Sequence, residues 1–188
     1  YGSSTQAGFG AAYTQPTVDP SDARWAVSAA YTSKGGKTST KDQGLFGEDA
    51  QSALLTKLEY GTPRWQVSGA VAFKDNGWED GYYTTAKGKA RSSASSETAI
   101  GLRAYWKPET SGAVPAIQLG YDVSNIEDAG TGNADEASGW MVGLGWDDLL
   151  IDGNRAGFAV GSRISASSIV GGGSDDLDDN SVWEAYYS

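Results

Sequence analysis

The sequence contains no cysteine and no histidine. Without thiols there is no disulfide framework, and losing both residue types removes the usual zinc and haem ligands and most nucleophilic triads. No catalytic residue, metal or cofactor is therefore expected, and the chain is not read as an enzyme. Lysine and arginine are also scarce, 14 against 24 aspartates and glutamates, and the net charge of −10 argues against a nucleic-acid partner, which needs concentrated cations. No apolar run is long enough for a transmembrane helix. That absence leaves a membrane β-barrel open, because alternating strands dilute hydropathy to near neutral. The opening Tyr1-Gly2-Ser3-Ser4 has neither the basic nor the apolar region of a signal peptide. The expectation is a processed chain or a segment of a longer one.

What is abundant points to strands. There are 26 glycines, 10 tyrosines and 7 tryptophans against one methionine and five prolines, which favours an all-β chain. The pattern is plainest around Gly61-Thr62-Pro63. Leu54, Thr56, Leu58 and Tyr60 lead in and Trp65, Val67, Gly69, Val71 and Phe73 lead out, while Lys57, Glu59, Arg64, Gln66, Ser68 and Lys74 take the opposite parity. Successive strand residues point to opposite faces, so this is a hairpin with one apolar and one polar wall. Its strands of about ten residues, with aromatics near both ends of the apolar parity, suit a tilted membrane-spanning hairpin.

The same alternation recurs over Thr5 to Tyr13, Arg24 to Ser33, Glu97 to Lys107, Val114 to Asn125, Ser138 to Asp147 and Arg155 to Ser165, and a last strand begins at Val182. With the central hairpin, Ala50 to Lys74, this predicts about nine strands. Connections at Thr14 to Ala23, Gly61 to Pro63, Pro108 to Ala113 and Asp148 to Asn154 are the shorter ones. Those at Lys34 to Asp49, Asp75 to Ser96, Ile126 to Ala137 and Ala166 to Asn180 are longer and more charged. An up-and-down meander gathers the short turns at one end and the long loops at the other, as outer-membrane barrels do. The reading is an antiparallel up-and-down transmembrane β-barrel, present as a partial barrel, because single-chain bacterial barrels close with an even count and wide ones use about sixteen to eighteen strands.

The aromatics fall at two levels. Tyr13, Trp25, Tyr60, Trp65, Trp106 and Trp146 lie near short turns, and Tyr31, Phe73, Trp140 and Trp183 toward the long loops. Two rings of that kind match two membrane interfaces. The opposite parity carries Arg24, Lys57, Glu59, Arg64, Gln66, Arg103, Tyr105, Asp122, Arg155, Arg163 and Glu184. Such a wall is costly in a dry core unless its charges pair, and natural in a wet channel, so these are the candidate pore-lining residues. Arg103 and Arg163 either help to set ion selectivity or pair with lumen carboxylates such as Asp122. Both readings stand.

Three segments carry a resemblance. They are Gly143-Leu144-Gly145-Trp146-Asp147-Asp148, the run from Ile151-Asp152-Gly153-Asn154-Arg155 to Gly161, and Asp178-Asp179-Asn180-Ser181-Val182-Trp183-Glu184-Ala185-Tyr186-Tyr187. They resemble cyanobacterial outer-membrane porins, the iron uptake porins related to the OprB carbohydrate-selective porins. The resemblance implies a barrel fragment over 1–188, lacking the family's N-terminal S-layer homology domain and its C-terminal strands. It implies passive diffusion of small solutes and inorganic ions, with iron or sugars named by the family. It further implies a place in the cell outer membrane among lipid and lipopolysaccharide, and a homotrimer. It supplies no catalytic residues.

Other features have plainer readings. The run Gly173-Ser174-Asp175-Asp176-Leu177-Asp178-Asp179 places carboxylates close enough for a hard cation but lacks the EF-hand order, and reads as an acidic solvated loop. The basic stretch Lys87 to Arg91 reads as a solvated loop ahead of a constriction or a phosphate spot. Glu79 and Asp80 have no scaffold for paired-carboxylate chemistry. Two rivals remain: a soluble all-β carbohydrate-binding module, and a structural barrel anchoring the envelope with a plugged lumen.

Overall fold

The computed structural model describes residues 7–36, 38–78, 96–110, 112–172 and 181–188. Among these the chain is all strand and connection: β1 (Ala7–Thr14), β2 (Arg24–Ser33), β3 (Ser52–Gly61), β4 (Trp65–Asp75), β5 (Ser96–Trp106), β6 (Ala116–Glu127), β7 (Ala134–Asp147), β8 (Arg155–Ser162), β9 (Ser165–Ile169) and β10 (Ser181–Tyr187). They form one antiparallel sheet in sequence order from β1 to β8, followed by β10, with β9 pairing β7. The sheet is open, and β1 and β10 are its edges.

The central hairpin shows how local chemistry sets the register. The Thr62 amide donates to the Trp65 carbonyl at 2.7 Å, and the Thr62 hydroxyl accepts from the amides of Arg64 and Trp65 at 3.1 and 3.3 Å. Gly61 is required there. A Cβ on it would sit 2.2 Å from the Trp65 carbonyl oxygen. With that turn closed, Tyr60 pairs with Val67 and Leu54 with Phe73, so the two apolar parities share a face.

The expected count of nine strands becomes ten, and the difference lies in one region. The segment Ile126 to Ala137, expected as a long loop, is largely strand: β6 runs to Glu127 and β7 starts at Ala134. The segment after Ser165, also expected as loop, contains β9. β8 and β9 both pair β7, Gly161 against Met141 and Ser165 against Ser138, so they are one strand interrupted at Arg163 and Ile164. A break of this kind shifts the alternation by one residue. Ile164, expected on the apolar wall, therefore lies on the opposite face beside Ala137. Here Ile126, Ala134, Ala166 and Ile169 form the one buried apolar cluster of the described residues.

Burial is inverted relative to a water-soluble sheet. Among the described residues the buried apolar ones are four alanines and two isoleucines, while 29 large apolar side chains are exposed. Polar side chains on the other wall, Lys74, Glu97 and Ser124, are buried. Among the described residues no second layer covers the apolar wall.

Candidate pore-lining surface

Strand register places most of the predicted polar residues in three adjacent rows across β3 to β6. Gly61, Gln66, Tyr105 and Gln118 form one row, Glu59, Ser68, Arg103 and Gly120 the next, and Lys57, Ala70, Gly101 and Asp122 the third. Two charge clusters result. Lys57 Nζ lies 2.8 Å from Glu59 Oε1, and the Gln66 amide donates to the same oxygen at 2.8 Å. Arg103 Nη2 donates to Asp122 Oδ2 at 2.8 Å, while Nη1 donates to the carbonyls of Leu102 and Tyr121 at 2.8 and 3.2 Å. The guanidinium is thus laid flat along the sheet. Two glycines leave room for it: a Cβ on Gly101 would meet Asp122 Oδ1 at 2.9 Å, and one on Gly120 would meet Arg103 Cδ at 3.3 Å.

Tyr105 closes the row at the turn, its hydroxyl donating to the Thr62 carbonyl at 3.3 Å. Above these rows lies a cluster outside the predicted set. Lys74 Nζ is 2.9 Å from Glu97 Oε1, and the Ser124 hydroxyl donates to the same oxygen. Lys74 had the polar parity in the sequence, but nothing there marked the pair as buried. The remaining predicted residues stand apart. Arg24 starts β2 in register with Gly61. Arg64 pairs with Glu109 at 3.5 Å on the short-turn rim, and Arg155 with Asp147 at 3.2 Å across the base of the last short turn. Glu184 lies in register with Ala159 near the β10 edge. Arg163 is exposed at the β8–β9 break, between the register pairs Gly161–Met141 and Ser165–Ser138. The sites at 79–80, 87–91 and 173–179 lie outside the described residues.

On the other wall the aromatics contact one another where the register brings them close. Ring centroids are 5.2 Å apart for Tyr13 and Trp25 and 5.6 Å for Tyr60 and Trp65. Trp65 is the register partner of Trp106. The Trp146 indole donates to the Ala113 carbonyl at 3.0 Å. Phe73 is in register with Leu54, Trp140 with Tyr121 and Trp183 with Val160. Phe46 was missed by the sequence reading: its loop folds back so that it stacks on Tyr31 at 5.3 Å and meets Phe9 at 6.1 Å. The Tyr31 hydroxyl pins that loop by donating to the Leu45 carbonyl at 2.7 Å. The signal for it was an apolar pair, Leu45-Phe46, inside a Gly-rich loop.

The levels of the short-turn aromatics are informative. The hydrogen-bonded row Thr14, Ala26, Glu59, Ser68, Arg103, Gly120 and Met141 crosses the sheet from β1 to β7. Tyr13 lies one residue on the long-loop side of that row. Trp25 and Tyr60 lie one residue on the short-turn side, Trp65 and Trp106 three, and Trp146 five. The aromatic level thus drifts one residue per strand step, which at about 3.4 Å per residue and about 4.8 Å per step is a slant of roughly 35°.

Comparison with family models, curated proteins and solved structures finds no match. The case for function therefore rests on the two walls alone.

Proposed function

We propose that this chain is part of an outer-membrane porin, with the charged wall lining a water-filled channel for passive diffusion of small solutes and ions and the apolar wall against lipid. The observation that carries the reading is the slanted aromatic level. Strands of membrane barrels tilt by about 35–45°, so a flat membrane interface crosses them on a slant relative to the hydrogen-bonded rows. Aromatics placed for ring packing have no reason to keep to such a slant. Trp65 and Phe73 on β4 are eight residues apart and Trp140 and Trp146 on β7 six, or roughly 17–22 Å along the membrane normal at that tilt, near the apolar band of about 25 Å.

The exposure of the apolar wall agrees with this, since Val67 and Leu102 are 50% and 51% exposed rather than meeting across a dry interior. Membrane placement, the trimer and iron or sugar as solutes belong to the same proposal, and no feature of the rows selects among solutes by itself. The test is reconstitution of the full-length protein in planar bilayers. Stepwise conductance is expected, and Arg103→Glu is expected to raise cation preference because Arg103 lines the inner face beside Asp122. A full-length protein that inserts without conducting would favour the plugged, envelope-anchoring barrel.

A further inference from the structure

The inner face holds a hollow of about 510 Å³ whose chemistry is uneven. Its floor is small and aliphatic: Leu55, Ala72, Ala99 and Ala137, with Ile164 at the side where the β8–β9 break turns it inward. Lys74 and Glu97 border it on the long-loop side. Lys57, Arg103 and Asp122 border it on the other. The Lys74–Glu97 row lies four residues along the strands from the row holding Lys57 and Asp122, or about 14 Å at about 3.4 Å per residue. No aromatic side chain is among the described lining residues.

The geometry points to a binding site for a short aliphatic carboxylate, its head on Lys57 and Arg103 and its chain along the alanine floor toward Leu55 and Ile164. Within the described lining three cations face two carboxylates, and Glu59, the partner of Lys57 at 2.8 Å, lies outside it, two residues toward the short turn, so the hollow itself favours an anionic head group. Lys57 and Arg103 are both only partly enclosed, 39% and 48% exposed, and ion pairs at that exposure are weak because solvent screens them, so sharing a cation with a second carboxylate costs little. Each also has donor capacity beyond the bonds described above. An alkyl chain advances about 1.25 Å per bond for C–C bonds of about 1.5 Å, so a six-carbon chain extends about 6 Å along the floor, roughly half of the distance between the two rows. The inference rests on the channel reading in one respect, that water reaches the inner face. There it names a solute class.

The test uses the full-length protein in detergent solution, with hexanoate, hexylammonium and 1-hexanol titrated by calorimetry. Saturable binding of hexanoate, at least tenfold tighter than of hexylammonium, is expected. Ala72→Leu, which fills the floor, and Arg103→Gln, which removes the head contact, are each expected to weaken hexanoate binding at least tenfold. An unchanged unfolding midpoint shows that the variants fold. Equal binding of the two charged probes, no saturable heat, or indifference to both variants overturns the proposal. Conductance of the same preparation without hexanoate is recorded separately. A conducting protein that ignores hexanoate fails only this inference, whereas a protein that does not conduct fails the channel reading.

Discussion

Leu102 offers the sharpest test of which way the apolar wall faces. It sits on β5 four residues from Trp106, at one aromatic level, and four from Thr98, the register partner of Phe73, at the other. If the wall meets hydrocarbon, Leu102 is at mid-depth, and Leu102→Arg should cost about 2–4 kcal/mol. Ile117, the partner of Trp106 at the interface level, should tolerate the same change at about 0–1 kcal/mol. In water the prediction differs, because both side chains are already exposed, and surface substitutions usually fall within about 0.5 kcal/mol. The assay is reversible urea unfolding of the full-length protein in lipid vesicles, followed by tryptophan fluorescence. A gap of more than about 1.5 kcal/mol between the two sites matches the bilayer profile. Equal costs at Leu102 and Ile117 would refute the depth argument and with it the lipid-facing wall.

Other consequences can be checked on the same preparation. Gly61→Val drives a side chain into the Trp65 carbonyl and should destabilise by about 1–3 kcal/mol, read as a lowered urea midpoint. Lys74→Met or Glu97→Leu alone breaks a buried pair and should cost about 3–5 kcal/mol, while the double variant should recover much of that. Additive losses in the double-mutant cycle would show that the pair is not coupled. In the β1–β2 connection the Ser21 amide, and secondarily the Ser21 hydroxyl, donate to Asp19 and hold its carboxyl below the ordinary carboxylate range. A group depressed in the folded state contributes fully above its unfolded pKa and loses that contribution as pH falls through the folded value. Protection of the Ser21 amide from hydrogen exchange should therefore fade only in acid, and Asp19→Asn should remove that pH dependence.

The sheet was legible in the sequence wherever one wall is apolar. Trp65, Val67, Gly69, Val71 and Phe73 alternate without a break, and β4 follows them, pairing β3 on one side and β5 on the other. Ala134 to Ala137 and Ser165 to Ile169 were not legible as strands, because Asp135, Glu136, Ser167 and Ser168 give them no apolar parity. Their pairing becomes visible only when β7 and β9 are seen side by side. The Arg103–Asp122 pair was foreseeable from shared parity, since two residues of the polar wall on neighbouring strands need only the right register. The Lys74–Glu97–Ser124 cluster was not, because it depends on how deeply the long-loop end is sheltered, which alternation does not encode. Ile164 shows the cost of extending parity through a break: the register shifts by one residue between Gly161 and Ser165, and the parity of β8 no longer applies beyond it.

The slant of the aromatics bears on the rival of a soluble module more directly than exposure does. An exposed apolar wall of this extent must be covered by something, and a second protein layer would serve as well as lipid. The two covers place different demands on sequence. A protein layer packs against whatever ridges the sheet offers, and it favours aromatics where they meet across strands, as Tyr60 and Trp65 do. It gives no reason for Trp106 and Trp146, separated by the whole of β6, to lie three and five residues below the row that holds Arg103 and Met141. A planar boundary crossing tilted strands does give one, since it must fall by a fixed amount at each strand. The same plane requires Ile117, on the strand between them, to lie at interface depth, and this is why its arginine variant is the reference for Leu102.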